Sequence, residues 1–120
     1  MLNLDTHILV NAVSNLLTPA EKVALESDEW GISDIVLWEI EMLYARRRIG
    51  FGLDDPRLMN TLRYVTIWPI TPEVCLTVRR LDFRSDPADE IIAATSLAYD
   101  VPLVTRDARI RTSKLVRFAG

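Results

Sequence analysis

Five of the chain's 17 acidic residues sit where a carboxylate needs a reason or where several can meet: Asp5, Glu39, Asp86, Asp89 and Asp107. Asp5 closes the run MLNL and precedes an apolar, helix-like stretch. Glu39 lies inside the apolar segment IVLWEIEML, Asp86 and Asp89 flank Pro87-Ala88, and Asp107 follows VPLVTR. Carboxylates gathered in a cleft of low dielectric repel one another, so such a cluster implies a cation. Oxygen donors without His or Cys favour a hard ion, Mg²⁺ or Mn²⁺. Such an ion joins phosphate-bearing substrates and activates a water as nucleophile, which is the chemistry of phosphodiester hydrolysis. Each acid also has a structural use. Asp5 and Asp86 suit helix N-caps, Asp89 complements a helix dipole, Asp107 suits a turn, and Glu39 a surface ion pair. Asp28, Asp34, Asp54, Asp55, Asp82, Asp100 and Glu41 read as turn, cap or surface residues.

Elements able to bring the five together follow from the pattern around them. Strand-like and helix-like segments alternate. Strands are expected at Leu2–Asp5, Trp30–Ser33, Val65–Ile70 and Val101–Thr105, with a short fifth at Leu115–Phe118. Pro69 puts the third near a sheet edge. Helices are expected over Thr6–Asn15, from the capping box Thr18-Pro19-Ala20-Glu21, after a Ser33 cap, from Asp55-Pro56, from Thr71-Pro72 to about Leu81, and from Asp86-Pro87 to about Tyr99. In the third helix Ile35, Trp38, Met42, Ala45 and Ile49 recur near helical spacing, and Gly50 and Gly52 mark its end. In the fourth, Leu58, Leu62 and Val65 share a face. This alternation predicts an α/β fold, three layers deep, with a parallel sheet of four or five strands covered on both faces. Functional groups in such sheets gather at the carboxyl ends of the strands, where the crossover helices also begin. All five acids fall at that edge.

The bulk numbers suit one domain over residues 1–120. No apolar run is long enough for a membrane span. The N-terminus reads as a strand without a basic n-region, and the single Cys75 cannot form an internal disulfide, so a reducing, cytoplasmic setting is expected. Cys75 itself, among Val74, Leu76 and Val78, reads as core. The net charge of −3 opposes nucleic-acid binding at first sight. If four acids belong to one metal site, the remainder carries −3 + 4 = +1. Twelve of the 14 basic residues are arginine, suited to phosphate, and three run together as Arg46-Arg47-Arg48. They read equally as a solvated face. His7, the only histidine, reads as structural rather than as a general base. Trp30, Trp38 and Trp68 read as core. Thr6 and Thr105 are small hydroxyls beside acids, able to hold a metal-bound water or a carboxylate.

Four stretches in this order, LDTH at 4–7, SDIVLWEIEML at 33–43, ARRRIGFG at 45–52 and DPADEIIAATSLAYDVPLVTRD at 86–107, resemble the PIN-domain family, specifically its VapC-type toxins. The resemblance covers nearly the whole chain. It implies a PIN-like fold and a Mg²⁺-dependent endoribonuclease (Mn²⁺ able to substitute) acting on structured RNA such as tRNA or ribosomal RNA. It also implies a homodimer and a VapB-type antitoxin whose tail covers the active site. The positions matching the family's acids are Asp5, Glu39, Asp89 and Asp107, with Asp86 auxiliary. Asp5 and Asp89 are expected as central ligands, with Glu39 and Asp107 completing the site and Glu39 better placed to take a proton. Thr6, Thr105, Arg46, Arg47, Arg106 and Arg109 are the candidate substrate contacts. Relatives commonly carry Arg where this chain has Glu90, which puts in doubt any contact that arginine makes. A catalytically silent PIN-like binding module is the alternative function. A signalling receiver domain also has an acidic pocket, but it needs an Asp ending the third strand, where this chain has Pro-Ile-Thr-Pro, and a Lys after the fifth.

Overall fold

The computed structural model describes residues 1–120. β1 (Leu2–Leu4), α1 (Thr6–Val13), α2 (Pro19–Glu26), β2 (Trp30–Ser33), α3 (Ile35–Ala45), α4 (Pro56–Leu62), β3 (Thr66–Trp68), α5 (Pro72–Val78), α6 (Pro87–Tyr99) and β4 (Leu103–Val104) follow in order, with a 3₁₀ turn at Ile110–Thr112. The four strands form one parallel sheet in the order β3-β2-β1-β4. The chain steps outward from β1 to β3, then returns through α5 and α6 to place β4 on the other side of β1. With right-handed crossovers, that reversal sends the last connection across the opposite face. It also opens a crevice at the carboxyl ends of β1 and β4. Asp5 follows β1 directly, and Asp107 lies three residues beyond β4. The α/β class and the four strands are as expected. The fifth strand is absent: its segment makes only a parallel bridge, Phe118 to Leu103.

Leu4, Ile8, Leu9, Ile32, Ile40, Ile92 and Leu103 are fully buried in the core, each contributing about 1.5–3 kcal/mol of transfer free energy. Asn3 is also fully buried. Its Nδ2 donates to Ile92 O at 3.0 Å and to Ser96 Oγ at 2.9 Å, which fixes α6 against β1 two residues before Asp5. Gly31 on β2 meets β3's Trp68: a Cβ there would lie 2.4 Å from the indole ring. That ring stacks on Tyr99 at a centroid distance of 5.4 Å.

Helix caps follow the sequence closely. The Thr18/Glu21 capping box forms, Ser33 Oγ accepts from Ile35 N at 3.3 Å, and Asp55 and Thr71 cap α4 and α5. The buried face of α3 differs from expectation. It is Val36, Ile40 and Leu43, not the stripe through Trp38. The segment is almost wholly apolar, so several stripes satisfy helical spacing, and position 38 lies about 200° around the helix from position 36. Trp38 is 57% exposed, which corrects its assignment to the core, whereas Trp68 is buried and Trp30 partly so. Cys75 is likewise exposed, because α5 turns Val74 inward and carries the next residue to solvent. α3 ends before Ile49, in a turn built by Arg46–Arg48 rather than by glycine. Arg47 has φ +56°, its N–H donates to Tyr44 O, and Arg48 N–H donates to Leu43 O. This is the Schellman pattern, in which a left-handed residue other than glycine costs about 1–2 kcal/mol. No helix is long and apolar enough to cross a membrane.

Candidate metal centre and active site

Three acids from three elements converge. Asp5 at the start of α1, Glu39 in α3 and Asp89 in the first turn of α6 each offer a carboxylate oxygen within 4.8 Å of the others. Local structure explains each placement. Asp5 must follow β1 and precede α1, so it stands at the sheet's carboxyl edge. Glu39 flanks the Val36–Ile40–Leu43 face at the helix border, half-buried. Asp89 sits three residues after the Asp86 cap position, on the turn that Asn3's bond to α6 holds near β1.

Every one of the three carboxylates accepts a hydrogen bond from a hydroxyl. Thr105 Oγ1 donates to Asp5 Oδ2 at 2.5 Å, Thr6 Oγ1 donates to Glu39 Oε1, and Ser85 Oγ donates to Asp89 Oδ2 at 2.9 Å. Thr6 N–H also donates to Asp5 Oδ1 at 2.8 Å. Thr6 and Thr105 are buried, and their hydroxyls hold carboxylates. Ser85 is the member of this set that sequence reading missed. Its only signal was a hydroxyl four residues before Asp89. Glu90 secures it: Ser85 N–H donates to Glu90 Oε2 at 2.9 Å. The unexpected acid at position 90 therefore anchors the loop that holds Asp89.

Burial raises the pKa of all three carboxyls, and each repels another. Asp5 is raised by desolvation, against the opposing bonds from Thr105 and Thr6. Glu39 is raised by desolvation and by the Asp5 charge. Asp89 is pushed up to about 6, first by desolvation and then by Asp5, Glu39 and Asp107. None of the three is in an ion pair; the chain's four pairs lie elsewhere. A converging set of oxygen donors, partly desolvated and in no ion pair, fits a hard divalent cation.

Asp86 and Asp107 flank the three. Asp86 stands at the α6 N-cap, but its side chain makes no cap hydrogen bond, contrary to the structural reading of that residue. Pro87 removes the first helical N–H, and Glu90 serves the preceding amide instead. The Asp86 carboxylate is left exposed on the depression. Asp107 Oδ1 accepts from Arg109 N and Ile110 N at 2.9 and 3.0 Å and so caps the 3₁₀ turn. All five acids line one depression of about 510 Å³, joined by His7, Asn11, Arg48 and Arg106. Asp86, Asp89 and Asp107 also line an adjoining cleft with Arg109.

The candidate arginines fall in different places. Arg46 and Arg47 do not line the depression; Arg48 does. Arg106 lines it but is engaged: its Nε and Nη2 donate to both oxygens of Glu21 at 2.7 and 2.6 Å, and Nη2 also reaches Leu16 O at 3.2 Å. Arg106 holds the Glu21 carboxyl down at about 2. It ties the loop carrying Thr105 and Asp107 to the start of α2. His7, read as structural, is exposed on the depression beside the acids.

The PIN domain family model matches residues 3–114. The chain belongs to the PIN-domain family. Ribonuclease VapC22 of Mycobacterium tuberculosis is 32% identical over 117 residues, covering 92% of this chain and 90% of that protein. Among solved structures, VapBC2 from Rickettsia felis bound to a promoter DNA fragment is similar at a TM-score of 0.76 and 20% identity, covering 98% of this chain and 97% of the other. A toxin–antitoxin complex from Klebsiella pneumoniae is similar at 0.67 and 23%, covering 91% and 88%. The fold expected from sequence is thus the fold of this PIN domain, of VapC type.

Proposed function

We propose that this PIN domain is a divalent-metal-dependent endoribonuclease, the toxin of a toxin–antitoxin pair. The convergence of Asp5, Glu39 and Asp89, none of them in an ion pair, carries the reading. The match to a named ribonuclease at 32% identity supports it, with RNA as the substrate class. Asp5 and Asp89 hold the cation, Mg²⁺ or Mn²⁺, with Glu39 completing the site and Asp107 and Asp86 beside it. The cation, when bound, supplies Lewis acidity to the phosphodiester being cleaved. The chain's residues do the rest. Thr105, Thr6 and Ser85 orient the three carboxylates. Glu39, raised by burial, is the group suited to take a proton from the attacking water. Arg109 borders the cleft at Asp107 and faces substrate phosphate.

The structures of related VapBC and toxin–antitoxin complexes support a VapB-type antitoxin partner for this chain. The test is incubation of the purified chain with total tRNA and ribosomal RNA, with Mg²⁺ present or chelated. Discrete, metal-dependent cleavage that disappears in Asp5→Asn is expected, and the fragments name the RNA. Intact RNA under all conditions would contradict the reading and favour a silent binding module.

A further inference from the structure

We propose that Arg48, delivered by the strained turn at Arg47, is the guanidinium that holds an RNA phosphate beside the acids. The inference rests on the ribonuclease reading above and deepens it. Two arginines and no lysine line the acidic depression. Arg106 spends its charge on Glu21, in a pair with both carboxylate oxygens. Arg48 makes no ion pair and no side-chain hydrogen bond, and it is exposed. It is therefore the free fixed cation at the site.

Its placement depends on the backbone. A helix continuing through Arg46–Arg48 would fan the three side chains out at about 100° steps. Instead Arg47 adopts φ +56°, and the Arg48 N–H folds back onto Leu43 O at 2.8 Å. Leu43 and Met42, one turn from Glu39, line the same depression. The turn thus returns Arg48 to the wall that carries Glu39, while Arg46 and Arg47 stay outside. Left-handed residues other than glycine cluster at functional sites when surrounding structure enforces them. Arg109 lines the adjoining cleft but not this depression, and Arg48 the reverse, with Asp86, Asp89 and Asp107 common to both. Asp86, Asp89 and Asp107 therefore border two adjoining clefts, each of which holds one free guanidinium group. An RNA strand crossing both clefts meets a planar phosphate contact in each, which offsets the carboxylates' repulsion of its backbone.

The experiment measures kcat and KM for a single-stranded oligoribonucleotide in Mg²⁺ across a salt series. It compares wild type, Arg48→Ala, Arg48→Lys, Arg46→Ala and Arg47→Gly. Arg48→Ala should raise KM about tenfold with kcat within about twofold. It should also flatten the salt dependence of kcat/KM by about 0.7 in log–log slope, the value for one phosphate on a single strand. Arg48→Lys should restore most of the slope. Arg46→Ala should match wild type, and Arg47→Gly, which keeps the turn, should too. Mn²⁺ affinity and thermal stability of Arg48→Ala should equal wild type, which separates a substrate contact from a structural one. An unchanged KM and slope in Arg48→Ala, or an equal effect in Arg46→Ala, would overturn the proposal. Failure of the wild-type chain to cut RNA in any metal would overturn it together with the ribonuclease reading, whereas cutting with an unchanged Arg48→Ala overturns this inference alone.

Discussion

Removing one charge from the acid cluster should stabilise the metal-free protein. Asp89 is the informative position, because its carboxyl is pushed from 3.8 to about 6 by desolvation and by Asp5, Glu39 and Asp107. That separation is about 2 units, or ~3 kcal/mol at 1.36 kcal/mol per unit. The group is only half-buried, and solvent screening reduces the effect to about 1 kcal/mol. The direction follows from linkage. The folded state binds the proton more tightly than the unfolded state, so stability falls as pH rises from about 4 to about 6, and the full penalty persists above that. Asp89→Asn removes the penalty and keeps an oxygen that accepts the Ser85 hydroxyl. In EDTA at pH 8 the variant should melt about 3–6 °C above wild type, and below pH 4 the two should coincide. Added Mn²⁺ should reverse the order by stabilising wild type more. Thermal melts at the two pH values, with and without Mn²⁺, provide the assay. A variant that melts with or below wild type in EDTA at pH 8 would refute the electrostatic reasoning.

Two further outcomes follow from the packing. Gly31→Ala would place a Cβ 2.4 Å from the Trp68 ring, so it should cost about 1–3 kcal/mol and lower the melting temperature. Arg106→Ala leaves the buried Glu21 carboxylate without its charged partner and should cost about 1–3 kcal/mol. Glu21 is held at about 2, so this pair stabilises the fold above the ordinary glutamate range and is lost as pH falls from about 4.5 toward 2; the gap between wild type and variant in thermal melts should close over that interval.

Much of the site was legible because its positions are fixed by local rules. Asp5 closes a strand, Asp89 opens a helix next to proline, and Asp107 follows a strand, so the α/β alternation alone carries them to one edge. Glu39 was legible as a charge in an apolar helix, but the face of that helix was not. IVLWEIEML is apolar on nearly every side, and only packing against the core chooses Val36, Ile40 and Leu43 over Trp38. Arg46 and Arg47 fall outside the depression for a related reason. Helical extrapolation through Arg46–Arg48 gives the wrong directions once Arg47 turns left-handed, and no glycine announces that turn. Arg106 looked free because its partner, Glu21, is 85 residues away. Ser85 and Glu90 act through a loop whose hydrogen bonds no periodicity encodes.

On the proposed reading, Asp5, Glu39 and Asp89 form a single cation site. Calorimetric titration of the purified chain with Mn²⁺ tests it most directly, beside Asp5→Asn, Glu39→Gln, Asp89→Asn and the surface control Glu41→Gln. Saturable binding in wild type and Glu41→Gln, lost or weakened at least tenfold in each of the three cluster variants, is the predicted result. Binding that survives Asp5→Asn and Asp89→Asn unchanged, or no binding in wild type, would contradict it.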